Sequence, residues 1–303
     1  MKKRNWRKKW LIPAGLFVGI TAVLLLILGR RETVPNSIAA KAAALLLTDQ
    51  AAIDSVDTGP WLDEEQEASW YMPYFSWLYE NGFFDPEITP AKKAGEALTY
   101  ETFFHFLDQI GCRNLVSAPL GSLIPSMKVP EQLWWETYEK VMEERENHGI
   151  ERKEFIVIGT PANIAQLEAW QAVTDQGLMD FDGLVLDPYI DCLVEGLVKD
   201  GQLICLTRLA DSQVTYRNVW ITGSSAETLQ VFLYGYERSF PGSQLPDDLN
   251  GVVADLTVTG QQVSQVSLKR ESIQAKVLSV GDGYIELEGY GKVPVAEDFR
   301  IYK

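Results

Sequence analysis

The chain has 303 residues, 46% of them hydrophobic and 23% charged, with 27 Lys and Arg against 42 Asp and Glu. The net charge of −15 and the lack of a basic patch after residue 31 argue against nucleic acid as a partner, because the phosphate backbone repels such a surface. Three cysteines, Cys112, Cys192 and Cys205, exclude a disulfide framework, and two distant histidines, His105 and His148, argue against a zinc site, so no metal and no cofactor is expected.

The first predicted element is the uncharged run Leu11 to Leu28, which follows Lys2, Lys3, Arg4, Arg7, Lys8 and Lys9. As a helix it rises about 27 Å, close to the ~30 Å hydrocarbon core, so the sequence predicts a transmembrane helix that meets the lipid bilayer through residues 10–29. Only Arg30 and Arg31 follow it, and the excess of cations ahead of the run places the N-terminus in the cytoplasm. A cleaved signal needs a shorter apolar core; Gly29-Arg-Arg-Glu is a poor cleavage site, while Ser37 to Ala40 offers a weak one. The expected localisation is the cell membrane, single-pass, with the C-terminal domains extracytoplasmic. Removing the eight cations of residues 1–31, which include no acid, from −15 leaves −23 on the exported part. That charge keeps it soluble and away from anionic surfaces.

After a short linker, Ser37 is expected to cap an Ala/Leu helix that runs to Leu47. A second helix is predicted over 67–81, where Trp70, Tyr74, Trp77 and Leu78 fall at helical spacing ahead of Gly82. A third begins at Thr99 and sets Phe103, Phe104, Phe106, Leu107 and Ile110 along one stripe before Gly111. The three make a small bundle over 32–112. Pro119, Gly121 and Pro125 mark a loop, and Pro130 opens an amphipathic helix with Leu133, Trp134, Tyr138, Val141 and Met142, so 113–150 is a linker and helix.

Beyond Glu151 short apolar or alternating runs recur about every ten residues, at 155–158, 184–186, 193–198, 202–208, 218–222, 228–234, 251–257 and 265–269. This rhythm predicts small barrels or sandwiches over 151–270. Residues 271–303 alternate around the turn signal Asp282-Gly283 and read as an SH3-like barrel. The expected fold class is thus α+β and multi-domain: a transmembrane helix, a helical bundle, then all-β small barrels ending in the SH3-like one.

No residue is assigned a catalytic role. Among Asp175, Asp180, Asp182, Asp187 and Asp191, the stretch Asp180-Phe-Asp-Gly is similar to the start of a calcium loop, but Leu184 and Asp191 stand where its fifth and twelfth ligands belong. These aspartates read as turn formers. Glu286 and Glu288, two apart in a strand, share an outward face. The binding candidates are Trp70, Tyr71, Tyr74, Trp77 and Trp135, as a face that stacks on glycan or on a partner. Trp134 and Trp135 are adjacent and cannot both face one core, which leaves one of them for a partner.

Trp70-Tyr71, Tyr74, Trp77-Leu78, Gly82-Phe83-Phe84 and Leu98-Thr99-Tyr100-Glu101 together resemble an S-layer homology repeat. In that family an arginine of the second helix contacts anionic wall polymer; Tyr100 occupies that position here, so the resemblance implies the fold more than the contact. From Lys153-Glu-Phe-Ile-Val-Ile-Gly-Thr-Pro-Ala-Asn through Asp180-Phe-Asp-Gly-Leu and Gly289-Tyr-Gly-Lys-Val-Pro-Val to Phe299-Arg-Ile-Tyr-Lys, the chain resembles the membrane-anchored N-terminal region of stage II sporulation protein D type cell-wall proteins. That resemblance implies a peptidoglycan lytic transglycosylase domain after Lys303, with the catalytic glutamate outside this sequence. The expected function is a non-catalytic module that positions cell-wall remodelling, with peptidoglycan, another wall polymer or a wall-remodelling protein as partner. The alternatives are a peptidoglycan-active enzyme with an unrecognised site and a wall-polymer-binding module.

Overall fold

The run Phe155-Ile-Val-Ile places apolar side chains on both faces of one strand, which is stable only where both faces are covered. In the computed structural model they are. The structure describes residues 33–61, 69–117, 124–146, 148–225, 227–241, 249–268, 275–281 and 283–295. Phe155 and Val157 enter one core with Ala172, Met179, Val194, Val198 and Leu203. Ile156 and Ile158 point the other way, into a second core with Val173, Val214, Ile221, Val231, Phe240 and Leu256.

The first of these cores fills a closed barrel. Its strands are β1 (Glu151–Gly159), β2 (Gln171–Thr174), β3 (Gly177–Asp180), β4 (Cys192–Lys199) and β5 (Gln202–Asp211), in the order β1-β2-β3-β5-β4. All neighbours are antiparallel except β3 and β5, which meet in parallel at Asp180 and Gln202. Gly196 lets the wall close, since a Cβ there would stand 2.7 Å from Leu203 Cδ1 and 2.8 Å from the Cys205 carbonyl oxygen. The second core lies under a five-stranded sheet of β6 (Gln213–Ser224), β7 (Thr228–Leu233), β8 (Tyr236–Pro241), β9 (Val253–Thr259) and β10 (Gln262–Leu268), in the order β10-β9-β6-β7-β8. A buried ion pair links sheet to barrel: Arg238 of β8 donates through both terminal nitrogens to Asp191, each at 2.5 Å, and the Tyr216 hydroxyl donates to the same carboxylate at 2.6 Å. Val277–Gly281, Tyr284–Leu287 and Gly291–Pro294 form a separate antiparallel sheet, β11 to β13.

The described residues divide into two compact units, one with those of 33–39 and 78–146, the other with those of 40–77 and from 148 onward. The boundary falls inside α1 (Asn36–Leu47) and α3 (Met72–Glu80); α2 (Gln50–Asp54) belongs to the barrel's unit. In the first unit, α4 (Tyr100–Gln109) is capped by Thr99, whose hydroxyl accepts from Thr102 N, and stops at Gly111 with φ +72°. Phe103 and Phe106 of α4 pack on Trp134 of α5 (Glu131–Glu144), with ring centroids 5.9 and 6.2 Å apart.

Three expectations need correction. First, the described chain is mostly β, 39% strand against 27% helix, because β5 and β6 run ten and twelve residues without a break. No helix among the described residues is long and apolar enough to cross a membrane; the longest, α5, has 14 residues and a charged face. The run Leu11–Leu28, predicted as the transmembrane helix, lies outside the described residues. Second, the boundary between the units runs through the expected three-helix bundle: α1 from Ala40 and α3 up to Trp77 belong with the barrel, whereas α1 up to Ala39, α3 from Leu78 and all of α4 lie in the other unit. The physical reason is polar anchoring to the strands, described below. Third, the segment expected as an SH3-like barrel is an open three-stranded sheet over its described residues. Its residues 271–274, Asp282 and residues 296–303 lie outside them.

Candidate functional site

Helix α1 is mostly Ala and Leu, yet Lys41 sits in it with 0% exposure. An ammonium in such a place needs an acceptor, and Lys41 Nζ donates to the backbone oxygen of Asp182 at 3.0 Å. Burial still dominates and lowers the pKa of this lysine to about 8, against the pull of Asp182 and Asp180. At the end of the same helix Lys199 of β4 donates to the carbonyl oxygens of Leu45 and Thr48, at 2.8 and 2.9 Å. These are carbonyls that a helix C-terminus leaves without intrahelical partners. Two lysines thus fix α1 to the barrel.

Asp182 follows the end of β3 and is the hub of a polar network. Tyr74 of α3, 1% exposed, donates its one hydroxyl proton to Asp182 Oδ2 at 3.3 Å or to Gln50 Oε1 at 3.4 Å. Gln50 in turn donates to Asp54 Oδ1 at 2.7 Å. Burial, then the Asp182 charge, pushes the Tyr74 phenol well above its ordinary range. From β5, the buried Gln202 side chain lies near Asp182 and counters part of the effect of burial on that carboxyl. Asp180 stands beside Asp182 at the β3–β5 junction and is exposed. Both carboxyl groups are pushed above the usual carboxylate range, chiefly by burial; the mutual charge comes second for Asp180, and Lys41 pulls both back.

An aromatic wall adjoins these acids. Gln171 pairs with Asp180 across the β2–β3 ladder and the Phe181 amide donates to the Trp170 carbonyl at 2.8 Å, so Trp170 is held next to the acidic turn. Its backbone lies at φ +64°, a left-handed conformation rare for a bulky side chain and typical of sites where the surrounding structure imposes the geometry. Trp170 is 36% exposed and meets Trp70 at 6.1 Å between ring centroids; Trp70 meets Tyr71 at 5.6 Å and Tyr74 at 6.3 Å. Half-exposed aromatic faces next to carboxylates offer stacking surface and hydroxyl or amine recognition in one place.

The structure therefore brings Trp70, Tyr71 and Tyr74 together, Tyr74 through its buried hydroxyl rather than an open face. Trp77 is half-buried on the same helix. Trp135 belongs to the other unit, where it packs on Trp134 and Tyr138 and donates to Glu131 at 3.3 Å. Of the five aspartates, Asp175 accepts from Ile156 N, Asp187 accepts from the Thr160 hydroxyl and Asp191 holds Arg238, which leaves Asp180 and Asp182 at the site. Among the described residues no three His, Cys, Asp or Glu side chains converge as a metal requires, and the three cysteines are free and buried. Sequence reading missed Lys41, Gln50, Asp54, Trp170 and Gln202; the one legible signal was a single cation inside NSIAAKAAALLL. Compared with protein-family models, with curated proteins and with solved structures, the chain finds no match.

Proposed function

We propose that this chain works outside the cytoplasm, attached at the cell membrane through its basic and apolar N-terminal residues, and holds cell-wall glycan without cleaving it. In this reading it positions the wall, or a wall-remodelling protein, for another activity, as the resemblance to sporulation protein D type proteins implies. The observation that carries it is the half-exposed pair Trp70 and Trp170 next to Asp180 and Asp182. Sugar rings stack on indole faces, and carboxylates accept hydrogen bonds from their hydroxyls. The five-stranded barrel supports the same reading by analogy, since small Greek-key barrels bind oligosaccharides on their second and third strands and adjoining loops. Here that region supplies Trp170 and Asp180.

A second reading has one observation in its favour. Asp180 and Asp182 stand close together, and burial, which raises both, would supply the protonated acid of a glycan-cleaving pair whose other carboxylate has to stay ionised. One experiment separates the two readings. Purified full-length chain in detergent, mixed with washed peptidoglycan sacculi, is expected to sediment with them and to release no soluble fragments. Release that disappears in Asp180→Asn establishes the enzyme reading; a chain that stays in the supernatant overturns both.

A further inference from the structure

The site has a surplus of acceptors. Gln202 is 6% exposed and stands in register with Asp180, and its Oε1 is buried without a hydrogen-bond partner. A buried acceptor left unpaired costs about 1–3 kcal/mol in a typical protein, so a donor belongs there. Asp180 receives no hydrogen bond from the described residues, and Asp54 and Glu168 add further negative charge within electrostatic reach of it. On the other side stand two buried donors, Tyr74 and Lys41. The Tyr74 proton goes to Asp182 or Gln50, and the Lys41 ammonium, wholly buried, is turned toward the Asp182 backbone oxygen. Indole faces complete the surroundings, and such faces attract cations as well as sugars.

We propose that this site selects a ligand carrying a primary ammonium group, which docks against Asp180 and the Gln202 carbonyl beside the Trp70 and Trp170 rings. Three N–H donors on one cation match a carboxylate and an orphaned amide oxygen, whereas a phosphate or an uronate meets only repulsion. The burial that raises both carboxyl groups is relieved when a cation enters, which favours binding further. The inference rests on the wall-glycan reading and narrows it. Within a cell wall the group comes either from an amino sugar that has lost its acetyl group or from the free amine of a stem-peptide diamino acid.

Titration of tryptophan fluorescence with three probes tests it: a β-1,4-glucosamine tetramer, the matching N-acetylglucosamine tetramer, and a short peptide with a free lysine side chain. The glucosamine tetramer is expected to bind about tenfold or more tighter than its acetylated form, as a charged hydrogen bond in a half-buried site is worth. Asp180→Asn, an exposed position that leaves the fold intact, is expected to abolish that preference. Tighter binding of the peptide keeps the ammonium selection and assigns its source to the stem. Equal affinity for the two tetramers, in a chain that still sediments with sacculi, overturns the inference and leaves the glycan reading standing. If neither tetramer binds and the peptide does not, both fail.

Discussion

Lys41 is the residue with most to say about how this structure balances burial against recognition. Its pKa falls from 10.5 to about 8 on folding, so between those values the unfolded chain binds a proton that the folded chain has released. Stability therefore rises with pH across that window, by on the order of 3 kcal/mol in full, and below it the buried charge is a net burden. Lys41→Met keeps the length of the side chain and removes the titration. Urea unfolding of both chains from pH 7 to pH 10 is expected to show the native chain gaining on the variant as pH rises; parallel profiles would contradict the assignment. A lone lysine in an alanine-rich helix is visible in the sequence as an oddity. Trp170 is not, because its role arises from a left-handed backbone and from contacts with Trp70, a hundred positions away. Gln202 is equally silent until the β3–β5 pairing sets it beside Asp180.

At the scale of elements, the docking of α1 rests on its C-terminus. Lys199 satisfies two carbonyl oxygens there, and a cation at that end also complements the helix dipole. Lys199→Met is expected to lower stability by about 1–3 kcal/mol, the range for unpairing buried acceptors. Hydrogen exchange locates the effect: the amides of residues 44–47 should lose protection first while those of β1 and β4 keep theirs. Uniform loss throughout the barrel would show that Lys199 supports the strands instead. The helix signals at this scale were readable, as the Thr99 cap and the stop at Gly111 show. Ser37, expected as a cap, lies one position inside α1 instead. The hairpin β2–β3 escaped because its four-residue strands carry few apolar residues and turn through Asp175-Gln176, whose acid is occupied with the Ile156 amide. Leu184-Val-Leu, apolar enough to read as a strand, is turn instead: Leu184 N bonds back to Phe181 O and Leu186 buries itself in the barrel core.

For the whole molecule, the spacing of apolar runs foretold the strands after Glu151, but not which helices would join the barrel. That allocation depends on Lys41, Lys199 and Tyr74 finding acceptors far away in sequence, and hydrophobic periodicity carries no such information. The same three contacts assemble the site, so its geometry and the fold of its unit stand or fall together. Its two indoles, by contrast, are exposed enough to be exchanged without emptying a core. The decisive measurement compares retention on peptidoglycan sacculi for the native chain, for a chain carrying Trp70→Ala with Trp170→Ala, and for Trp135→Ala in the other unit. Loss of about tenfold or more in the double variant, the order expected for removing two stacking faces, with Trp135→Ala unchanged, is the result expected if the barrel-side site holds the wall. Undiminished retention of the double variant would contradict it.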